Sequence, residues 1–454
     1  MNQEFTVAKF GGTSVADHAA MSRCADIIAA DSHVRIVVVS ASAGVTNHLV
    51  ALCQTGLSNE ERQAHIDGVI AIQLNIIECL SLDADLAHGF DTTLNDFKHS
   101  ASHSTQNVPL TNVQRDELLS FGERLSSYLF TQVLRDKGVA SSRFDVRSVL
   151  KTDSQFGKAQ PDITQTRIRA QAELVPLLSE QVVVTQGFIG SDEYGETTTL
   201  GRGGSDYSAA LLAEACGASN IHIWTDVIGI YSTDPRLCNK ARPIAHLTFD
   251  EAAEMATFGA KVLHPATILP AARSGIGVFV GSSQDPQGGG TWIEKVPSSE
   301  LIAGVRAVTQ RKNQLLLTLK SPEMLLASGF LARVFTILSE YKISVDLVTT
   351  SEISVAVTLD NAPNASRPEL DQEALERLGE FCHVSVETNL ALVALIGSEI
   401  QLRQSELNLM RVLSGFDIRL ICHGASKHNL CFLVEQGQSD QVVQAIHQQL
   451  LEQA

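Results

Sequence analysis

Apolar positions in the first 282 residues come in two alternating textures. Short β-branched runs, at 34–39, 182–185, 221–225 and 278–280, have the unbroken hydrophobicity of strands covered on both faces. Between them, residues 116–135, 208–216 and 249–263 repeat apolar side chains at helical spacing, and Gly217 follows the second of these as a C-terminal stop. Such alternation predicts an α/β domain built on a largely parallel sheet. Residues 151–162 are polar, contain Gly157 and Pro161, and read as an exposed loop. Pro286, Gly288, Gly289, Gly290 and Pro297 crowd the stretch 283–299. That composition puts the domain boundary there, so the first domain is expected at 1–298.

Past the boundary the texture changes and then repeats. A strand at 313–319, a helix at 330–341, strands at 345–350 and 353–359, a helix at 369–381 and a strand at 384–387 make one βαββαβ unit. The order restarts with 390–396, helix 406–416, strands 418–422 and 430–434, and helix 440–451, and the chain ends before a last strand. An unfilled sheet edge is a liability, and the spare strand-like segment 301–308 is available to fill it. The first unit, 312–388, is therefore expected to be inserted between the pieces of the second, 299–311 plus 389–454; two sequential units with one truncated is the other arrangement.

Candidate chemistry sits where strands end. Lys9-Phe10-Gly11-Gly12-Thr13-Ser14 follows the first strand, holding an ammonium at a fixed height beside glycines whose N–H groups can approach an anion. It is not a Walker A loop, since the lysine precedes the glycines, and a buried strand end with an ordinary turn would read the same way. A second glycine-rich stretch, Gly201-Arg202-Gly203-Gly204-Ser205-Asp206, runs into a helix. It combines N-capping side chains, bare first-turn amides and a guanidinium suited to carboxylate or phosphate. Residues 40–47 set small and hydroxyl side chains after the most apolar strand, at the sheet edge where α/β ligands bind, although a plain turn fits too. Glu123 could meet an ammonium group or be a solvated helix position. The loop from Trp224 to Arg236 gathers an aromatic ring, carboxylates and an arginine, groups that a nucleotide needs. Lys261 stands at an expected helix C-terminus, where the macrodipole alone would favour it, or it meets a phosphate.

Composition narrows the partners. The 454 residues carry 34 basic and 51 acidic side chains, a formal charge of -17, which argues against sequence-independent binding to nucleic acid or to anionic membranes. The eight cysteines are scattered, with no C-x-x-C pair and no zinc-type Cys/His spacing, and read as small buried hydrophobes in a reducing compartment. The chain opens without a basic and apolar leader, and no run of 18 apolar residues occurs. A cytoplasmic protein that binds neither membrane nor nucleic acid is expected.

Taken together, the segments at 9–14, 40–47, 201–206, 224–236 and 255–265 resemble the signature of the aspartokinases, within the amino acid kinase superfamily, and the resemblance covers essentially the whole chain. The C-terminal repeats resemble paired ACT domains, and the nearest likeness is to the monofunctional, lysine-sensitive kind. The resemblance implies transfer of the ATP γ-phosphoryl group to the β-carboxylate of L-aspartate, giving 4-phospho-L-aspartate. Such a nucleophile is ionised at neutral pH and needs no general base. By the same resemblance Lys9 and Asp206 are catalytic, and Thr46, Glu123, Arg202 and Ser205 hold aspartate. The nucleotide falls to Lys9, Gly11, Gly12, Thr225, Asp226, Tyr231, Arg236 and Lys261, with Mg2+ arriving on ATP. Feedback inhibition by L-lysine would act through Met324, Gly329, Phe330, Leu331, Ser344, Val345, Asp346, Thr350, Ser351 and Glu352, in a dimer or tetramer joined by ACT domains. Ala327 departs from the related pattern, where a serine is expected. Other readings are a superfamily kinase acting on glutamate, acetylglutamate, carbamate or UMP, an aspartokinase with a different effector, and an amino-acid sensor with an inert kinase domain.

Overall fold

The computed structural model describes residues 4–102, 108–259, 263, 265–295, 304–325, 328–359, 370–398, 400, 409, 411–424 and 426–452. Its contacts divide the chain into two units, the first made of Met1–Ile230, Pro243–Phe249 and Val262–Val296, the second of Tyr231–Arg242, Asp250–Lys261 and Pro297–Ala454.

The first unit holds strands β1 (Thr6–Phe10), β2 (Val34–Val39), β3 (Ser141–Arg143), β4 (Val182–Gln186), β5 (Ile189–Ser191), β6 (Thr197–Thr199), β7 (Asn220–Thr225), β8 (His246–Thr248), β9 (Gly277–Ser282) and β10 (Gly290–Glu294). Eight of them form one sheet in the order β3-β4-β2-β1-β7-β9-β10-β8, while β5 and β6 make a separate hairpin pair. From β3 to β9 all neighbours run parallel, and β10 is antiparallel to β9. The β-branched runs become strands β2, β4, β7 and β9 inside the sheet; β2 and β4 are buried almost residue after residue, whereas β7 and β9 carry half-buried positions among the buried ones. Helix Asn112–Asp136 is the spine of one face: Thr111 and Gln114 close a capping box at its start, and Leu118, Phe121, Leu125, Leu129 and Phe130 pack into the core beneath β1 and β2.

The polar stretch 151–162 is a largely exposed loop, as expected, pinned by bridges from Lys151 to Ser191 and from Thr152 to Pro161. Two expectations change here. The glycine-rich stretch 283–299 contains β10, which pairs with β9 through Gly290, where a Cβ would strike Phe279 and the Val280 carbonyl. Glycine there serves close strand packing, not only a linker. The helix expected over 249–263 is formed over Phe249–Thr257.

The second unit carries β11 (Gly304–Lys320), β12 (Val345–Thr350), β13 (Ser354–Leu359), β14 (His383–Ser398), β15 (Ile418–His423) and β16 (Asn429–Glu435). They form one antiparallel sheet in the order β12-β13-β11-β14-β16-β15. The two long strands serve both repeats: Leu316–Lys320 pairs with His383–Glu387, and Gly304–Arg311 pairs with the stretch from Leu392 to Ser398. Asn313 and Asn389 sit near the middle of each strand at φ 59° and 58°, the left-handed region asparagine tolerates, and the pairing register shifts around them. Helices Phe330–Glu340 and Gln372–Gly379 pack over one half of the sheet, and helix Ser439–Leu450 over the other, with a separate core under each half. Of the helix expected at 406–416, residues 406–408 and 410 lie outside the described residues, 409 and 411–413 are helical, and 414–416 turn away from it. Among the described residues no helix is long and apolar enough to cross a membrane.

Candidate active site

Parallel register brings the chemistry together. Phe10 pairs with both Val39 and Trp224, and Val39 pairs with Gln186, so β1, β2, β4 and β7 all finish at one level of the sheet. The loops leaving that level carry Lys9 to Ser14, Ser40 to Asn47, and Thr225 with Asp226. Carboxyl-end loops are where open α/β sheets bind ligands, because no side chain of the sheet fills the crevice between them.

Lys9, nearly buried at the end of β1, places its Nζ 2.5 Å from Asp206 Oδ1 at the start of helix Gly204–Cys216. The two residues expected to be catalytic are therefore an ion pair. Glu123, on helix Asn112–Asp136, is buried close by, and burial pushes its carboxyl up to about 8, against the opposing pull of the Ala41 backbone N–H and the Lys9 charge. The helix comes this near because residue 122 is glycine: a Cβ there would lie 2.6 Å from Ala41 Cβ. Gly12 faces the same loop, where a Cβ would stand 2.9 Å from the Ala41 carbonyl oxygen.

Gly11 behaves otherwise than expected. Its N–H donates to the Trp224 carbonyl at 3.1 Å, so this amide binds strand β7 rather than pointing at an anion. Trp224 is buried against Phe279 and His222, which makes its ring part of the sheet packing and not an exposed face for a base. Thr225 donates its hydroxyl to Asp226, which is exposed, and its carbonyl accepts from Ser283. Thr46 is exposed in the first turn of helix Val45–Leu52. Arg202 is exposed and has no ion pair among the described residues, while Ser205 presses against Gly187, where a Cβ would come within 2.6 Å of it. Tyr231 and Arg236 belong to the second unit, and the Arg236 guanidinium is exposed and bound to Asp234. Lys261 and Ala327 lie outside the described residues.

Sequence reasoning missed Asp116. It is fully buried on helix Asn112–Asp136, and one carboxylate oxygen accepts the Gly157 N–H at 2.8 Å and the Thr199 N–H at 2.7 Å. It thereby fixes both the 151–162 loop and the strand that leads to Arg202. Desolvation raises its pKa, partly offset by those hydrogen bonds. A lone acid in a helix gives no sequence signal for such a role.

In the second unit, Gly329 caps helix Phe330–Glu340 at φ 91°, and Phe330 meets Phe381 edge to face. Met324 closes a 3-10 turn. Leu331, Ser344, Thr350, Ser351 and Glu352 are exposed, and Val345 is half-buried at the start of β12. Asp346, named above among the residues for lysine, is paired with Arg311.

The sequence defines the class of this unit: residues 4–282 match the amino acid kinase family, and residues 406–450 match an ACT domain. The chain is 51 % identical over 453 residues to the lysine-sensitive aspartokinase 3 of Escherichia coli, covering 99 % of this chain and 100 % of that one. It superposes on E. coli aspartokinase III in complex with aspartate and ADP (R-state) with a TM-score of 0.89, and on the complex with lysine and aspartate (T-state) with 0.81. Each is 50 % identical, covering 99 % of this chain and 100 % of the other. Within the amino acid kinases, the chain belongs to the aspartokinases.

Proposed function

We infer that this protein is an aspartate kinase that transfers the γ-phosphoryl group of ATP to the β-carboxylate of L-aspartate and is inhibited by L-lysine through its ACT repeats. The observation that carries the reading is the buried Lys9–Asp206 pair beside Glu123, at the level where four parallel strands end. The Lys9 ammonium, held still by Asp206, neutralises charge on the phosphoryl group as it passes to the substrate oxygen. No proton moves, because the attacking carboxylate is already ionised, so positioning and charge stabilisation do the work. Arg202 binds a substrate carboxylate, Glu123 and Thr46 face its ammonium side, and Ser205 completes the pocket. Gly12, Thr225, Asp226, Tyr231, Arg236 and Lys261 serve the nucleotide, as does Gly11 by shaping the turn.

The acidic groups at this edge fit a metal delivered on phosphates rather than one caged by protein. Asp206 is taken by Lys9, Glu123 is pushed toward its neutral form, and Asp226 is exposed and accepts the Thr225 hydroxyl. Mg2+ bound to ATP supplies further charge neutralisation there.

The repeats are assigned as an inserted first ACT domain, 312–388, and a second at 299–311 plus 389–454, after a catalytic domain at 1–298. The shared pairing of β11 with β14 supports that division. A dimer or tetramer formed through these domains would present the lysine site at Met324 to Glu352. All eight cysteines are free thiols, in keeping with a cytoplasmic enzyme.

An ATP-dependent hydroxamate assay tests the whole reading, run with L-aspartate, with L-glutamate as control, and with or without millimolar L-lysine. Aspartyl hydroxamate formation that lysine suppresses is the expected result. No product with aspartate overturns the reaction, and product unaffected by lysine overturns the effector.

A further inference from the structure

Away from the kinase crevice, three side chains of metal-ligating type converge inside the second unit. Cys238 Sγ lies 3.4 Å from His447 Nδ1 and 3.8 Å from Glu452 Oε1, and His447 Nδ1 lies 3.2 Å from that same oxygen. Among the described residues this is the one cluster of three or more such groups whose ligand atoms come together. With zinc–sulfur bonds of about 2.3 Å and zinc–nitrogen or –oxygen bonds of about 2.0–2.1 Å, the edges of a tetrahedron measure roughly 3.3–3.6 Å. The three separations match one triangular face of that tetrahedron to within about 0.3 Å.

The surroundings are those of a supported site. His447 is buried, and its other ring nitrogen, Nε2, is hydrogen-bonded to Ser232 Oγ at 3.0 Å, which fixes the ring so that Nδ1 faces the cluster. Glu452 receives Lys240 Nζ on its second oxygen at 2.6 Å, and that contact holds the carboxyl below its usual range. Cys238 is almost fully buried, which shields a bound thiolate from competing reactions.

We propose that Cys238, His447 and Glu452 form a three-ligand site for a divalent transition metal of zinc type, with water completing the tetrahedron. Mixed sulfur, imidazole and carboxylate donors suit Zn2+ over Mg2+ or Ca2+. Binding converts the Cys238 thiol to thiolate and releases its proton to solvent. The site would fasten the loop Tyr231–Arg242, at Cys238, to the end of helix Ser439–Leu450 and the residues just beyond it, while Ser232 of the same loop accepts the Val308 N–H on its carbonyl. Arg236 would then be held on both sides, at Ser232 and at Cys238.

The test uses the full-length protein, stripped with a chelator and titrated with Co2+ as an optical stand-in for zinc. Expected are one Co2+ per chain, the intense visible bands of four-coordinate cobalt, a thiolate-to-cobalt charge-transfer band, and displacement of the cobalt by Zn2+. Cys238→Ser should lose the charge-transfer band, and Glu452→Gln should keep it while binding at least about tenfold more weakly. Absence of stoichiometric binding by the unaltered protein overturns the site, as does an unchanged spectrum in Cys238→Ser, which would put the cobalt on other thiols. Should Cys238→Ser fail to fold, Glu452→Gln decides alone, and wild-type affinity in that variant overturns the proposal. None of these readouts depends on aspartate phosphorylation.

Discussion

Lys9 and Asp206 meet at 2.5 Å although one ends a strand and the other begins a helix nearly two hundred residues later. The carboxylate holds the ammonium in place before any substrate arrives, and a preorganised charge pays no reorganisation penalty as the phosphoryl group transfers. Lys9→Ala should lower kcat by about 10²–10³-fold with little change in KM for ATP, as read from hydroxamate initial rates over a range of ATP concentrations. Asp206→Asn, which frees the ammonium without deleting it, should cost less. Near-normal turnover in Lys9→Ala would sink the assigned role.

Glu123 makes stability depend on pH. Its carboxyl titrates near 8 in the folded chain against 4.5 when unfolded, so between those values the folded state binds more protons than the unfolded one. Stability therefore falls as pH rises through that window, with a slope of at most about 1.4 kcal/mol per pH unit from this group. Glu123→Gln removes the titration. Urea midpoints at pH 5.5 and 8.5 should show the variant gaining on the unaltered protein as pH rises, and a constant difference would contradict the assignment.

Asp116 serves two backbone amides with one oxygen. In Asp116→Ala those amides lose their acceptor, one of them fully buried, for a destabilisation of about 3 kcal/mol. Because the amide of Thr199 leads into Gly201 and Arg202, KM for aspartate should rise as well. Thermal melting together with aspartate saturation curves checks both, and a stability loss without a KM change would confine Asp116 to folding.

Ala41 is pressed from two sides, by Gly12 and by Gly122. Gly122→Ala meets the Ala41 side chain and should cost about 1–3 kcal/mol through overpacking. Gly12→Ala instead pushes on the Ala41 carbonyl and shifts the turn after Lys9. Its effect should appear mainly in kcat, falling tenfold or more, since displacement of about 1 Å at a reacting centre can cost 10²-fold.

Arg311 already neutralises Asp346, so in the proposed site lysine would compete for that carboxylate or add to it. Asp346→Ala should raise the lysine concentration for half-inhibition at least tenfold, measured as the ratio of rates with and without lysine in one preparation. An unaltered ratio would remove Asp346 from the effector site.

What the sequence made legible follows from periodicity. Strands such as Val34–Val39 and Val182–Gln186 announce themselves because burial on both faces leaves no polar alternation, and the lysine and glycines after β1 are local in sequence. The Lys9–Asp206 pair could be anticipated as two candidates but not as one contact, since register between β1 and a distant helix is a tertiary fact. Gly11 was misread for the same reason: whether an amide faces solvent or a neighbouring carbonyl depends on strand β7, far along the chain. Asp116 and the Cys238, His447 and Glu452 cluster left no trace, because burial and convergence, not spacing, give them meaning.

Strand β11 carries a consequence for how the chain is made. Its first half, Gly304 to Arg311, finds its partner in β14 only after about 80–95 further residues exist. At about 5–20 residues per second of synthesis, that edge waits for roughly 4–19 s with its ladder groups unsatisfied. During that interval the emerging chain offers a bare strand to any neighbour, including the same strand on another ribosome of the message. The segment between the paired stretches thus sets a translational deadline, and slow codons between 312 and 388 would be expected to lower soluble yield without altering a single residue.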